Sequence, residues 1–204
     1  DNQIPFIIIF SLLVCLVSYY FSNNFYFALS VFITVPLFLK SILVLKNNFN
    51  KNISFYSQWL AHLSIGFFII AAVYTEQFDY EENLIFEKES TNEIKLQNNK
   101  TAIIKNIKDE KFQNFQRISV DLLISDGQKD KELSPSKNIY QPSGQVTNEV
   151  STTNKLFSQY YATISTIESN KVGINLVYKP FINLLWLSAI MLVFSIFLSV
   201  IKKR

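Results

Sequence analysis

The chain has 204 residues, 49% of them hydrophobic and 15% aromatic but only 17% charged, with a formal net charge of +3, one Cys and one His. This hydrophobicity excludes an intrinsically disordered chain, and the single Cys excludes a disulfide framework or a Cys-x-x-Cys centre. One His leaves no self-contained His-based metal site, and the length allows one ordinary domain at most.

The charges are strongly segregated. None lies from Asn2 to Leu39, from Asn52 to Thr75 or from Pro180 to Ile201. About 20 residues of helix cross the hydrocarbon core, so such runs predict transmembrane spans. Four are expected, at Ile4–Phe21, Phe25–Leu45, Phe55–Thr75 and Phe181–Ile201, the first two joined as a tight hairpin by Ser22-Asn23-Asn24. The expected fold class is therefore membrane α-helical, with four transmembrane helices and a β-rich extracytoplasmic domain between helices three and four. The expected organisation is a three-helix membrane part over residues 1–75, a β-rich region over 76–180, and a last helix with a basic tail over 181–204.

The region Glu76–Pro180 holds 13 basic and 15 acidic residues, a net −2, whereas the rest of the chain is net +5. The six basic residues outside that region are Lys40, Lys46, Lys51, Lys202, Lys203 and Arg204. Read as lying at span ends, they place those ends in the cytoplasm or its equivalent by the positive-inside rule. Residues 76–180 are then outside, starting with the acidic run Glu76, Asp79, Glu81 and Glu82. Those acids read as a topology and solubility feature. Lys179 is a lone outside base next to a span, expected to snorkel. A signal-peptide reading of the first span fits poorly, since it lacks a basic start and a small-x-small cleavage site. The chain starts with Asp1 rather than Met and is expected to be a piece of a longer polytopic protein.

Within the outside region, Ile118, Val120, Leu122 and Ile124 alternate with Ser119, Asp121 and Leu123, with Asp126-Gly127 as a following turn. Thr101–Ile107 and Tyr160–Ile167 read as further strands, and Val172, Ile174, Leu176 and Tyr178 alternate again. This pattern predicts a small sheet or sandwich of about five to seven strands. No basic patch interleaved with aromatics points to nucleic acid. Asn99-Lys100-Thr101 matches a glycosylation sequon without further support.

His62 is the residue on which chemistry could rest. It is expected seven residues into the third span, roughly 10 Å below the surface. An ionisable group there is costly and marks a functional candidate. Neutral imidazole can ligate haem iron or another metal, or relay a proton. The plain alternative is a His bonded to a helix carbonyl or Ser. Ala61, Ser64 and Gly66 would let a helix or a flat cofactor approach closely. Trp59, one turn away, could pack on such a cofactor, although Trp59, Tyr74 and Trp186 also suit interfacial anchoring. Cys15 reads as a small buried hydrophobe. No nucleophile elbow, P-loop, dinucleotide fingerprint or paired carboxylates are present, so no catalytic residue is assigned.

The segment Trp59-Leu60-Ala61-His62-Leu63-Ser64-Ile65-Gly66 resembles the Ala-His-Leu-Gly transmembrane segment of CcmF, the haem lyase subunit of System I cytochrome c biogenesis. Further elements follow in the family's order. These are the acidic Thr75–Glu82, then Lys137-Asn138-Ile139-Tyr140-Gln141-Pro142, then Thr147-Asn148-Glu149, then Phe157–Ala162, and finally Tyr178-Lys179-Pro180-Phe181 before a helix with Trp186. The resemblance covers about Phe55 to Arg204. Ser64 departs from the usual Gly, and Asn175 stands near a position where the family often has Arg. The resemblance to the CcmF/NrfE family implies a membrane haem lyase that attaches haem to apocytochrome c. It implies that His62 is one axial ligand of a b-type haem whose second ligand comes from outside this chain. It also implies partnership with the upstream part of the protein, a CcmH-type thiol-reducing subunit, the haem chaperone CcmE, apocytochrome c and membrane lipid, with quinol as an electron source. The family's Trp-rich haem segment and its other histidines are not in this sequence, so this stretch by itself is expected to lack the complete active site. The implied location is a bacterial inner membrane, with the mitochondrial inner membrane as the alternative. The competing readings are a membrane-anchored sensor or interaction protein with a structural His62, and a fragment of an unrelated transporter.

Overall fold

The computed structural model describes residues 3–47, 52–87, 93–125, 130–154, 158–168 and 170–201. The expected turn at Asp126-Gly127, Phe157, and the basic residues Lys51, Lys202, Lys203 and Arg204 lie outside the described residues. In chain order the elements are helices α1 (Gln3–Ser22), α2 (Phe25–Asn47) and α3 (Ile53–Phe78), ten strands, and helix α4 (Ile182–Ile201). The chain divides into two compact units, residues 1–78 with 180–204, and residues 79–179.

The first unit is helical, because hydrocarbon offers no hydrogen-bond partners and a helix satisfies its own backbone. All four helices are long and apolar enough to cross a membrane. Together they make this a multi-pass membrane protein. The α1–α2 hairpin is closed by two asparagines. Asn23 takes the left-handed conformation (φ 48°), which Asn tolerates better than most residues. Asn24 caps α2, its Oδ1 accepting from the N–H groups of Tyr26 (2.9 Å) and Phe27 (3.1 Å). Its amide also donates to the Gln77 side chain at the far end of α3.

Helix α3 meets its neighbours through small residues. Ser57, Ser64 and Ala71 recur every seven residues and are buried. The Ser57 hydroxyl donates to the Ser195 carbonyl of α4 (2.7 Å), and Thr75 donates to the Pro180 carbonyl (2.6 Å). Toward α2, a Cβ on Gly66 would stand 3.3 Å from the Phe38 ring, so glycine sets that separation. Tyr74 packs among Phe27, Phe78 and Phe181 at centroid distances of 6.0, 4.4 and 4.7 Å.

The second unit is two antiparallel sheets around one apolar core. One sheet has the order β1 (Tyr80–Glu87), β10 (Lys171–Pro180), β9 (Ser158–Ile167), β8 (Ser151–Asn154). The other has the order β2 (Glu93–Leu96), β3 (Lys100–Lys111), β4 (Phe115–Ser125), β6 (Ser136–Tyr140), β7 (Val146–Glu149), with β5 (Asp130–Leu133) also on β4. The alternating residues Val120, Leu122 and Ile124 point inward, as do Val172, Ile174 and Leu176, where they meet Leu84, Phe86 and Ile164. A side chain at Gly173 would collide with the Ser165 and Thr166 hydroxyls of the adjoining strand. The described residues therefore hold ten strands, not five to seven. The additional ones (β2, β5, β7 and β8) are polar four-residue segments whose pairing is imposed by a longer neighbour rather than signalled by alternation.

The acidic run is also more than a solubility feature. Asp79 pairs with Lys179, which corrects the snorkelling expectation for that lysine. Glu81 accepts from Asn175 (2.7 Å), and Glu82 accepts from the Gln97 backbone N–H (2.9 Å). On the second sheet, Glu149 accepts from Ser136 (2.8 Å) and Asn138 (2.8 Å) and pairs with Arg117 (3.3 Å). Those bonds, the Ser136 and Asn138 donors first, hold the Glu149 carboxyl below its ordinary value of 4.5. Lys108 and the Ser134 hydroxyl likewise hold Asp121 below 3.8.

A carboxyl with a depressed folded value adds stability that is complete above its unfolded value and is lost as pH falls through the folded one. Unfolding midpoints in urea should therefore hold steady above about pH 5 and drop as pH falls below the 4.5 and 3.8 of free carboxyls. Glu149→Gln should lower the neutral-pH midpoint and flatten that acid slope. An unchanged slope would show that the Glu149 bonds do not contribute.

Candidate functional site

His62 lies nine residues past the first residue of α3, about 13 Å along the helix, deeper than the expected seven. Its Nδ1 is 2.7 Å from the Gln58 carbonyl one turn back. A carbonyl can only accept, so Nδ1 is the donor, and in the neutral imidazole the lone pair is then on Nε2. The ring is exposed within the unit, so this lone pair is available to an outside group. This backbone bond matches the plain reading of the residue, yet it is also the outer contact that fixes tautomer and orientation in a ligating histidine.

His62 lines a groove of about 340 Å³ between α2 and α3, with Leu37, Lys40, Ser41, Val44, Phe55, Gln58 and Trp59. The α3 members 55, 58, 59 and 62 follow helical spacing and so share one face. Trp59 is tied to the neighbouring helix. Its indole Nε1–H donates 2.9 Å to the Ser41 carbonyl of α2, which fixes the ring as a wall beside His62. The groove is apolar apart from His62, Lys40, the Ser41 and Gln58 groups and the indole N–H.

Sequence reasoning placed His62 and Trp59 but not their partners. Lys40 was grouped with charges at span ends, whereas α2 continues to Asn47 and puts Lys40 two turns inside the helix. That distance from the helix end was the available signal. Ser41 and Val44 carried none, since they matter only through the pairing of α2 with α3. Cys15 lines a second, apolar groove between α1 and α2 with Leu12, Tyr19 and Phe32.

In the strand-rich unit several polar residues engage one another, while the buried Asn175 Oδ1 has no hydrogen-bond partner. Lys100 lies over the rings of Tyr160 and Tyr178 (5.2 and 5.1 Å) and donates to the Tyr160 hydroxyl. Burial first, then the Tyr160 hydroxyl 3.3 Å away, push the Tyr80 phenol far above its ordinary value. Tyr80 therefore stays a neutral hydrogen-bonding phenol. Among the described residues, no group of three or more His, Cys, Asp or Glu side chains could hold a metal ion.

Four spanning helices and a two-sheet unit, with a lone ligand-capable imidazole in a helix groove, define the class as a multi-pass membrane protein carrying a β-rich unit. A solved structure with this fold is "Cytochrome c Heme Lyase CcmF", with a TM-score of 0.72 and 8% sequence identity over 93% of this chain and 33% of that one. The chain thus spans about a third of that protein's length, and the shared fold agrees with the motif resemblance in the sequence. No protein-family model matches the chain, and no curated protein matches it.

The Trp59–Ser41 bond makes a direct prediction for the groove wall. Trp59→Phe keeps the aromatic surface and removes one buried donor, at a cost of about 1 kcal/mol. The variant should unfold earlier in a denaturant titration of the detergent-solubilised protein, and its remaining indole fluorescence, from Trp186, should be unchanged. Wild-type stability would mean that the bond does not hold the wall.

Proposed function

We propose that this chain is the C-terminal part of a cytochrome c haem lyase of the CcmF type, and that His62 supplies one axial ligand to a b-type haem held in the membrane. The observation that carries this reading is the state of the His62 ring. One nitrogen is committed to a backbone carbonyl, and the exposed ring lines a groove that Trp59 also lines. The fold likeness supports the same reading.

The residues present fit such a group as half a site. Neutral imidazole with its far nitrogen bonded to a carbonyl is a good haem-iron ligand. This chain has no second His, so the opposite ligand comes from elsewhere. When bound, a b-type haem supplies one-electron transfer, and quinol is the source implied by the family. The chain's own contributions are simpler. Gln58 fixes the imidazole tautomer, Trp59 closes one wall, and Leu37, Val44 and Phe55 exclude water. Ser64 and Gly66 are buried against neighbouring helices and do not open onto the groove.

The proposal extends to setting. Residues 79–179 lie on the outside of a bacterial inner membrane or its mitochondrial equivalent, where apocytochrome c, the haem chaperone CcmE and a CcmH-type thiol-reducing subunit act. The short strands and exposed apolar side chains of that unit, Ile85 and Phe112 among them, are available to such partners.

Two measurements test this reading. In the purified complete protein, His62→Ala should abolish the b-type haem absorption while leaving the protein folded; a wild-type spectrum would sink the ligand assignment. In sealed vesicles of known orientation, protease added outside should cleave within residues 79–179. Cleavage from the cytoplasmic face alone would reverse the topology.

A further inference from the structure

We infer that Lys40 and His62 form a two-point site, in which the imidazole meets the metal of a planar ligand and the Lys40 ammonium meets a carboxylate on that ligand's edge. For the haem proposed above, this assigns Lys40 to a propionate and sets which edge of the ring faces which membrane surface. The inference rests on the haem reading of His62.

Three observations carry it. First, both residues line one groove. Second, their depths match. Lys40 is seven residues before the end of α2 and His62 nine residues after the start of α3, about 10 and 13 Å from helix ends on the same side of the membrane. Third, Lys40 has no acidic partner among the described residues of its unit. Among the described residues of the membrane unit the one acid is Glu76, fourteen residues beyond His62 on α3 and about 21 Å further along it. A cation within a span is expensive and is stabilised by an anion or by reaching the interface. The groove offers Lys40 carbonyls and an imidazole but no carboxylate, so an anion that meets Lys40 there comes from what occupies the groove or from lipid.

A ligand that combines a metal with carboxylates satisfies both residues at once. Leu37, Val44, Phe55 and Trp59 supply the apolar walls that its flat body requires. The carboxylate edge then faces the surface where α2 ends and α3 begins, because Lys40 is the shallower of the two residues.

The test uses the complete haem-loaded protein in nanodiscs. Removing the cation leaves a propionate unneutralised near the iron, and this favours the ferric state. Lys40→Gln should lower the haem midpoint potential by about 59 mV, corresponding to a tenfold change for a one-electron couple. Apohaem exchange should also quicken about tenfold, and Lys40→Arg should restore both. Lys40→Met, an apolar side chain of similar length, provides the same comparison should the Gln variant insert poorly. Haem dimethyl ester, which has no free carboxylate, should give the same potential in wild type and Lys40→Gln. An unchanged potential in Lys40→Gln, with haem still lost in His62→Ala, overturns the Lys40 assignment alone. Retention of haem in His62→Ala overturns the underlying reading. A Lys40→Gln effect that persists with haem dimethyl ester identifies a lipid phosphate as the anion and also overturns the assignment.

Discussion

How closely α3 can approach its two neighbours is the constraint on which the membrane unit depends. Lipid tails are as apolar as leucine, so helices there associate through packing and hydrogen bonds rather than through exclusion of water. Ser57, Ser64 and Ala71 bring α3 against α4, with the Ser57 hydroxyl bonded to the Ser195 carbonyl. Gly66 sets the approach to α2, and the Trp59 indole bonds across to Ser41. These contacts bury one side of α3. His62 stays exposed, and the groove beside it lies where Gly66 and the Trp59–Ser41 bond hold α2 and α3 together.

The strand-rich unit is stabilised by a different balance. Its core is apolar and alternates with the strand period, while the polar side chains at its two ends are paired with one another. Asp79 and Lys179 pair where the chain enters and leaves the unit, and Tyr80 stacks on Tyr178 next to them at 5.0 Å. The register Tyr80↔Tyr178 thus fixes β1 on β10 at both its charged and its aromatic step. Residues far apart in sequence are drawn to one place by the sheet, and no local pattern announces this.

Much of the architecture was legible in the sequence. Long apolar runs mark all four helices, although Lys40 interrupts the one that becomes α2. Strands β3, β4, β9 and β10 were legible through alternation. Strands such as β5 (Asp-Lys-Glu-Leu) and β8 (Ser-Thr-Thr-Asn) were not, because their place depends on pairing with β4 and β9. The same division holds for the site. His62 and Trp59 stand out as residue types in an unusual setting, but Lys40 looked like an ordinary end-of-span charge. Its role depends on the depth at which α2 and α3 run side by side, which is a property of two helices and not of either segment.

The central claim is that the free nitrogen of His62 is a metal ligand and not a structural donor. Replacing the imidazole by a thioether tests this most directly, because Met in place of His at one axial position raises the potential of a bis-His haem. In the complete protein, His62→Met should shift the haem midpoint potential upward and alter its absorption spectrum. An unaltered potential and spectrum, at wild-type haem content, would contradict the account.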